Sequence, residues 1–350
     1  MNREPDEAAG ARAPFAVVPA ATLPWQQGVV ADLLARRARW PHAMLITGPK
    51  GIGKRTLAAA LAGALVCETA GADGVPCGQC PGCRYVAAGQ HPDLRILEPV
   101  DVNDDTAKPA EWIGVDRIRL LTQWAQLTSH RGGAKVALID PAERMNAAAA
   151  NALLKTLEEP PANTFFILVS HQPGRLPATI VSRCQRIEAP RPTLAQGRAW
   201  LAAQGVAVAC DVLAQANGAP LAARALADGA LQDERAAWMK ALASPRGLSA
   251  TALGARIDAG PRETRKDRLA AAIDWLIAWC ADLARVRAGG MPAQNPDYRA
   301  DLVELAQSVA GVALFRYHRR LLQQRALLAH PLQPRLVAEA LLIDYRALFG

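Results

Sequence analysis

No stretch of this 350-residue chain holds the roughly 18 to 20 uncharged apolar residues that a bilayer-spanning helix needs; its most apolar runs, Leu57 to Val66 and Leu269 to Cys280, are short or interrupted by Asp274. A membrane protein is therefore not expected. A secretory pattern is missing too: Glu4, Asp6 and Glu7 stand where a basic segment belongs, and no continuous apolar core precedes Pro24. A cytoplasmic protein is expected. No internal repeat of fixed period occurs. Aromatic residues are scarce at 5%, and alanine supplies much of the 51% hydrophobic fraction, so helices should outweigh sheet, alanine losing no side-chain entropy in a helix. At 21% charged, the chain is too apolar to stay disordered, and its length suggests two or three domains. The formal charge of +8 permits attraction to nucleic acid. Arginines spread over solvated helix faces would give the same figure, so charge alone decides little.

Residues 1–22 are rich in Ala and Pro without periodicity and read as a flexible N-terminal tail. From 23 to 189 short apolar runs alternate with helical ones. Met44 to Thr47, Leu94 to Leu97, Val136 to Asp140 and Phe165 to Ser170 have the compact apolar character of buried parallel strands. Helices are expected at Lys54 to Cys67, Val115 to Ser129 and Asn146 to Glu159, the last stopped by Pro160-Pro161. This alternation predicts an α/β domain with a parallel sheet. Past Pro190-Arg-Pro192 the pattern is helical throughout: a small unit at 190–228, then a bundle at 229–350. Its helices are expected at Asp233 to Leu242, Arg265 to Ala288, Tyr298 to Ala329 with a break near Gly311, and Arg335 to Phe349. Trp275 and Trp279, with Leu269, Ile273, Leu276 and Leu283, follow helical spacing and read as bundle core; the mixed-charge segment Arg262 to Arg268 reads as a solvated helix start.

Directly after the first strand stands Gly48-Pro-Lys-Gly51-Ile-Gly53-Lys54-Arg55-Thr56, followed by a helix, the context of a phosphate-binding loop. Glycines let the backbone amides wrap an anion, Lys54 would reach the terminal phosphates, and the helix N-terminus favours negative charge. The position after Lys54 should carry a hydroxyl for magnesium and carries Arg55, a cation that would repel the metal. Thr56 does not substitute, because one residue along a helix rotates the side chain by about 100°. Asp140 ends a strand where an ATPase holds magnesium, but the next residue is Pro141 instead of a water-orienting glutamate, and Glu143 lies further on. Two required groups fail together. The loop is thus expected to be inert or binding-only, with ATP and magnesium binding in doubt; an active ATPase is the competing reading.

Cys67, then Cys77-x-x-Cys80-x-x-Cys83, supplies four thiolates within a glycine-rich insertion at 67–83. Four soft ligands suit tetrahedral zinc with no open catalytic position, hence a structural ion. A redox dithiol would need only one Cys-x-x-Cys, and buried free thiols would not cluster. His91 is near enough in sequence to compete as a ligand, but four cysteines already complete the shell.

Taken together, the phosphate loop, the cysteine insertion, His91-Pro92-Asp93, the run Arg131 to Asp140, the run Asn151 to Pro161 and Ser182-Arg183-Cys184 resemble the bacterial DNA polymerase III clamp-loader family of AAA+ proteins. The likeness is dense over Pro24 to Arg224 and rests only on helical character beyond. It implies an α/β plus α architecture: an AAA+ P-loop module at 23–189, a small helical lid at 190–228, and a helical collar or oligomerisation domain at 229–350. The departures at Arg55 and Pro141, with Leu221 where the family's ATPases place a lid arginine and Arg224 three residues too late, point to the non-hydrolysing branch. The resemblance further implies that Arg183 acts in trans, as a catalytic arginine completing the ATP site of an adjacent subunit. A surface arginine paired with a local carboxylate is the plainer reading. Implied partners are the tau/gamma and delta subunits in a hetero-pentameric ring, and through the complex the sliding clamp and primed DNA. Nucleotidyltransferase activity would belong to the polymerase holoenzyme. A self-sufficient ATPase of the tau/gamma type, and a zinc-dependent DNA-binding protein with an AAA+ scaffold, remain as alternatives.

Overall fold

The computed structural model describes residues 22–71, 73–99, 110–206, 212–329 and 333–350. The expected tail at 1–22 therefore lies, up to residue 21, outside the described residues. The chain divides into two compact units, Met1–Pro192 and Thr193–Gly350.

The first unit is built on five parallel strands: β1 (Ala43–Thr47), β2 (Leu94–Leu97), β3 (Lys135–Ile139), β4 (Thr164–Ser170) and β5 (Gln185–Glu188). They lie in the order β2-β3-β4-β1-β5. Every residue of β1 and β3 is buried, as strands covered by helices on both faces must be. The helices are α1 (Gln27–Ala35), α2 (Lys54–Val66), α3 (Pro81–Ala87), α4 (Val115–Gln126), α5 (Ala147–Glu158) and α6 (Ala178–Val181). Ile118 and Leu121 of α4 and Leu153 and Leu157 of α5 pack with Leu45, Ile139, Phe166 and Leu168 of the sheet. Because the strands run parallel, the loops after β1, β3 and β4 open on one edge, and with β4 inserted between β1 and β3 this edge is where an α/β sheet places its ligands. With the phosphate loop after β1, this is a fold of the AAA+ P-loop class.

α1, α3 and α6 are not expected from the sequence, and three further local features differ from expectation. β5 is an additional edge strand with only Ile187 buried, so it lacks the apolar run that marks the central strands. α4 ends at Gln126, short of Ser129, since Leu127 turns to an extended backbone. Buried Lys135 donates from Nζ to the carbonyls of Trp124 (2.7 Å) and Leu127 (3.0 Å), so a cation closes that helix end. At the start of α5, Asn146 is the cap and lies outside the helix, its Oδ1 accepting the Ala149 amide at 2.8 Å.

The second unit is entirely helical among the described residues. α7 (Leu194–Ala203), α8 (Val212–Gln215) and α9 (Pro220–Leu226) enclose a small core of Leu201, Val212, Leu213 and Ala223. The remaining helices are α10 (Gly229–Leu242), α11 (Ala250–Asp258), α12 (Arg265–Arg287), α13 (Arg299–Ser308), α14 (Gly311–Ala326) and α15 (Pro334–Arg346). They share one core around Trp238, Trp279, Leu283 and Tyr345; Trp275 is half-buried at its edge. α11 has no counterpart in the sequence reading. Gly254, which weakens a helix signal, is needed there because the Glu339 side chain of α15 occupies the space a Cβ would take. Among the described residues no helix is long and apolar enough to cross a membrane.

Candidate nucleotide loop and metal centre

Gly48, Gly51 and Gly53 have φ of +146°, +85° and +91°, a backbone that L side chains rarely adopt. Gly53 also has no room for a side chain, since a Cβ would strike Leu23 and Gln26. Trp25 Nε1 donates to the Ile52 carbonyl at 2.9 Å and Gln26 Nε2 to the Gly53 carbonyl at 2.7 Å, fixing the loop from behind. Lys54 opens α2 and is almost wholly buried, with Nζ donating to the Pro49 carbonyl at 2.5 Å. Burial brings its pKa down to about 8, against the upward pull of Asp140 and Glu143. The ammonium therefore still carries its charge near neutral pH.

Arg55 does more than repel a metal. Its Nη1 pairs with Glu98 Oε1 at 2.7 Å and its Nε lies 3.6 Å from Asp140 Oδ2, so the guanidinium sits where a magnesium ion between loop and strand end would have to be. Burial raises the pKa of both carboxyls while Arg55 draws them down, and Lys54 draws Asp140 down as well. Pro141 supplies no carboxylate after Asp140. Glu143 is turned to another task, Oε1 accepting the His171 amide at 3.0 Å. The His171 imidazole is pushed down to about 4 by burial and by Lys54, hence neutral at pH 7. The residues present do not fit a bound magnesium ion unless Arg55 leaves.

Arg183 is elsewhere in the same unit, just after α6. Nη1 donates to the Thr179 carbonyl at 2.9 Å and Nη2 is paired with Glu158 at the end of α5. Both side chains are partly exposed, at 31% and 48%. This is the local carboxylate pair weighed as the plainer reading.

The sulfur atoms of Cys67, Cys77, Cys80 and Cys83 all lie within 4.8 Å of one another. Cys67–Cys80 and Cys77–Cys83 are separated by 3.9 and 4.0 Å. A tetrahedron with Zn–S bonds of about 2.3 Å has S···S edges of about 3.8 Å, so the four sulfurs fit a zinc ion. Amides of Cys77, Cys80 and Cys83 donate to sulfurs of the set at 3.3 Å each, a polarity that suits thiolate. His91 is not part of the set: its Nδ1 accepts the Asp93 amide at 3.1 Å. Asp93, buried, accepts the Ser129 hydroxyl and the amides of His130 and Arg131, each at 2.9 Å. Arg131 then reaches back to Glu68 at 2.7 Å and lies over the Tyr85 ring, joining the cysteine module to the loop before β3.

Similarity to known proteins agrees with this arrangement. The family described as DNA polymerase III, delta subunit, matches residues 30–193. The chain is 43% identical over 217 residues to DNA polymerase III subunit delta' of Pseudomonas aeruginosa, a match covering 61% of this chain and 63% of that protein. Against DNA polymerase III subunit delta' of Escherichia coli it is 33% identical over 295 residues, covering 82% of this chain and 83% of that one. The chain belongs to the delta-prime family of DNA polymerase III subunits. DNA polymerase III subunit tau of Escherichia coli is also similar, at 35% over 210 residues, 60% of this chain and 30% of that protein.

Within this delta-prime framework, the structure brings together Gly48, Gly51, Gly53, Lys54 and Asp140 at one sheet edge, gathers the four cysteines in a separate module, and places Arg183 apart from both. Sequence reasoning missed Glu98, His171 and Glu158. Glu98 and His171 directly follow β2 and β4, and a rule was available to find them, since residues just past the carboxyl ends of parallel strands face the ligand crevice. Glu158 carried no such signal. Arg224 lies over the Trp200 ring and donates to Gln204.

Proposed function

We propose that this chain is the non-hydrolysing member of a DNA polymerase III clamp loader, sitting beside tau/gamma and delta subunits in a hetero-pentameric ring that places the sliding clamp on primed DNA. The observation that carries this is the pairing of Arg55 with both Glu98 and Asp140. Phosphoryl transfer needs a metal at the phosphates and an oriented water; a guanidinium takes the first place and Pro141 empties the second. In this reading residues 190–228 are the lid, and 229–350 the collar that holds the ring. The four cysteines would hold zinc, which supplies a fixed cross-link for the insertion and no catalytic chemistry.

Arg183 is the group lent to a neighbour. A guanidinium offers paired donors to phosphate oxygens as readily as to a carboxylate, and in this chain Arg183 already holds one carboxylate, that of Glu158, through Nη2. The negative charge that spreads over a γ-phosphate in a neighbouring site would take the carboxylate's place, an effect worth about 10³- to 10⁵-fold in rate for arginines of this kind. Reconstitution with the other loader subunits tests both halves. DNA-stimulated ATP turnover should fall at least ~tenfold with Arg183→Ala, while the isolated wild-type chain stays at background. An unchanged rate removes the role of Arg183; turnover by the isolated chain that Lys54→Ala abolishes removes the non-hydrolysing assignment.

A further inference from the structure

The phosphate loop keeps the groups that grip an anion, although the place of the accompanying ion is filled by the protein itself. Gly48, Gly51 and Gly53 hold the wrapped backbone, Lys54 stands buried at its centre, and α2 runs thirteen residues from it with its N-terminus toward the loop. Around this cradle, Asp140 Oδ1, Glu143 Oε2 and His171 Nδ1 are buried and have no hydrogen-bond partner among the described residues. Orphaned polar atoms at this depth are what a polar ligand with its bridging waters would satisfy. Asp140 is itself almost wholly buried.

Charge decides which ligand. Asp140 and Glu98 would repel a polyphosphate, and in an ordinary phosphate loop a divalent ion cancels carboxylates at this position. Here Arg55 cancels both, at 2.7 Å from Glu98 and 3.6 Å from Asp140. A doubly charged ion added beside that guanidinium would be repelled by it and would find its carboxylate taken. We propose that the loop binds the polyphosphate tail of a nucleotide without any divalent metal, Arg55 being the resident counter-charge in place of the ion. This rests on the non-hydrolysing reading and extends it by giving the site a ligand, held as a fixed structural group.

The test is equilibrium binding of N-methylanthraniloyl-ADP to the full chain, once in EDTA and once in excess magnesium. Wild type should bind in EDTA with no added metal; excess magnesium, which complexes the free diphosphate, should weaken that binding or leave it unchanged and never strengthen it, and inorganic pyrophosphate should displace the probe where adenosine does not. Lys54→Ala should weaken binding at least ~tenfold in both buffers, the loss of a charged hydrogen-bond donor. Arg55→Thr should bind poorly in EDTA and gain at least ~tenfold on adding magnesium, whereas Arg55→Lys, like the wild type, should gain nothing from the metal. Zinc content and circular dichroism of each variant check that it is folded; if Arg55→Thr is not, the two-buffer comparison of wild type against Arg55→Lys still decides. Binding that requires magnesium in the wild type, no binding in either buffer, or displacement by adenosine overturns the inference. Phosphate release from the same samples with ATP reads the non-hydrolysing assignment separately: metal-dependent hydrolysis defeats that assignment, while absent probe binding without hydrolysis defeats only the ligand.

Discussion

Replacing Cys83 by serine should unfold the cysteine module and leave the rest of the first unit standing. Among the described residues of the module, Cys67, Cys80 and Cys83 form an apolar cluster with Ala70 and Cys77 against them, so the sulfurs themselves are at its core. Beyond them Val86 is buried, worth roughly 1.5 to 3 kcal/mol. α3 is seven residues long, too short to persist unaided. A structural zinc ion held by the four cysteines would contribute on the order of 10 to 16 kcal/mol of apparent binding energy at pH 7, several times the buried valine, and such an ion would decide whether the module is folded. Wild-type protein should carry a single zinc per chain, and Cys83→Ser almost none. Hydrogen exchange should then show residues 67–89 unprotected. The loop 129–134 should loosen with them because Arg131 loses Glu68 and Tyr85. Amides of β1, β3 and β4 should keep their protection, since the core between these strands and α4 and α5 contains no module residue. Cys184→Ser and Cys280→Ser should retain the metal. A zinc-free wild type with a protected module, or a protected module in Cys83→Ser, would refute this account.

Thermal stability should depend on pH through His171: an unfolded imidazole takes a proton near 6.5, the folded one only near 4, so stability present above 6.5 is lost as pH falls toward 4. The loss is on the order of 3 kcal/mol at ~1.4 kcal/mol per pH unit, and His171→Gln should flatten the melting profile over that range; an unaltered slope would reject it. Asp93→Asn should cost about 2 kcal/mol by turning an amide toward donors that now point at a carboxylate, read as faster proteolysis at 129–134. Despite burial, those donors hold the Asp93 carboxyl below its ordinary value, so the stability it contributes should persist above pH ~4 and disappear only in stronger acid. In the second unit Trp279 Nε1 donates to Tyr345 Oη and Tyr345 Oη to the Leu242 carbonyl, both at 2.8 Å. Tyr345→Phe leaves two buried groups unpaired and should cost ~2 to 4 kcal/mol, a melting-point drop of ~5 to 12 °C by calorimetry; no drop would mean water replaces the hydroxyl.

The sequence alone sufficed for the central strands, the phosphate loop and the cysteine set. Each is encoded within a short window: continuous apolar runs in β1, β3 and β4, glycines at fixed spacing before Lys54, and Cys-x-x-Cys-x-x-Cys with a fourth cysteine shortly before. The short helices α1, α3 and α6 were not read from the sequence, and β5 and α11 escaped because their signals are not local. An edge strand buries one side chain in four, and Gly254 makes sense only beside Glu339 of another helix. Composition and spacing marked Arg55 as wrong for a metal but could not say what it does instead. That depended on strand order, which sets β2 and β3 side by side, and on Glu98 and Asp140 following them at the same edge. In the same way Arg183 meets Glu158 only because α6 and α5 pack together. Periodicity and ligand spacing are properties of neighbours along a chain; the partner of a charge is a property of which distant segments the hydrophobic core brings to one surface.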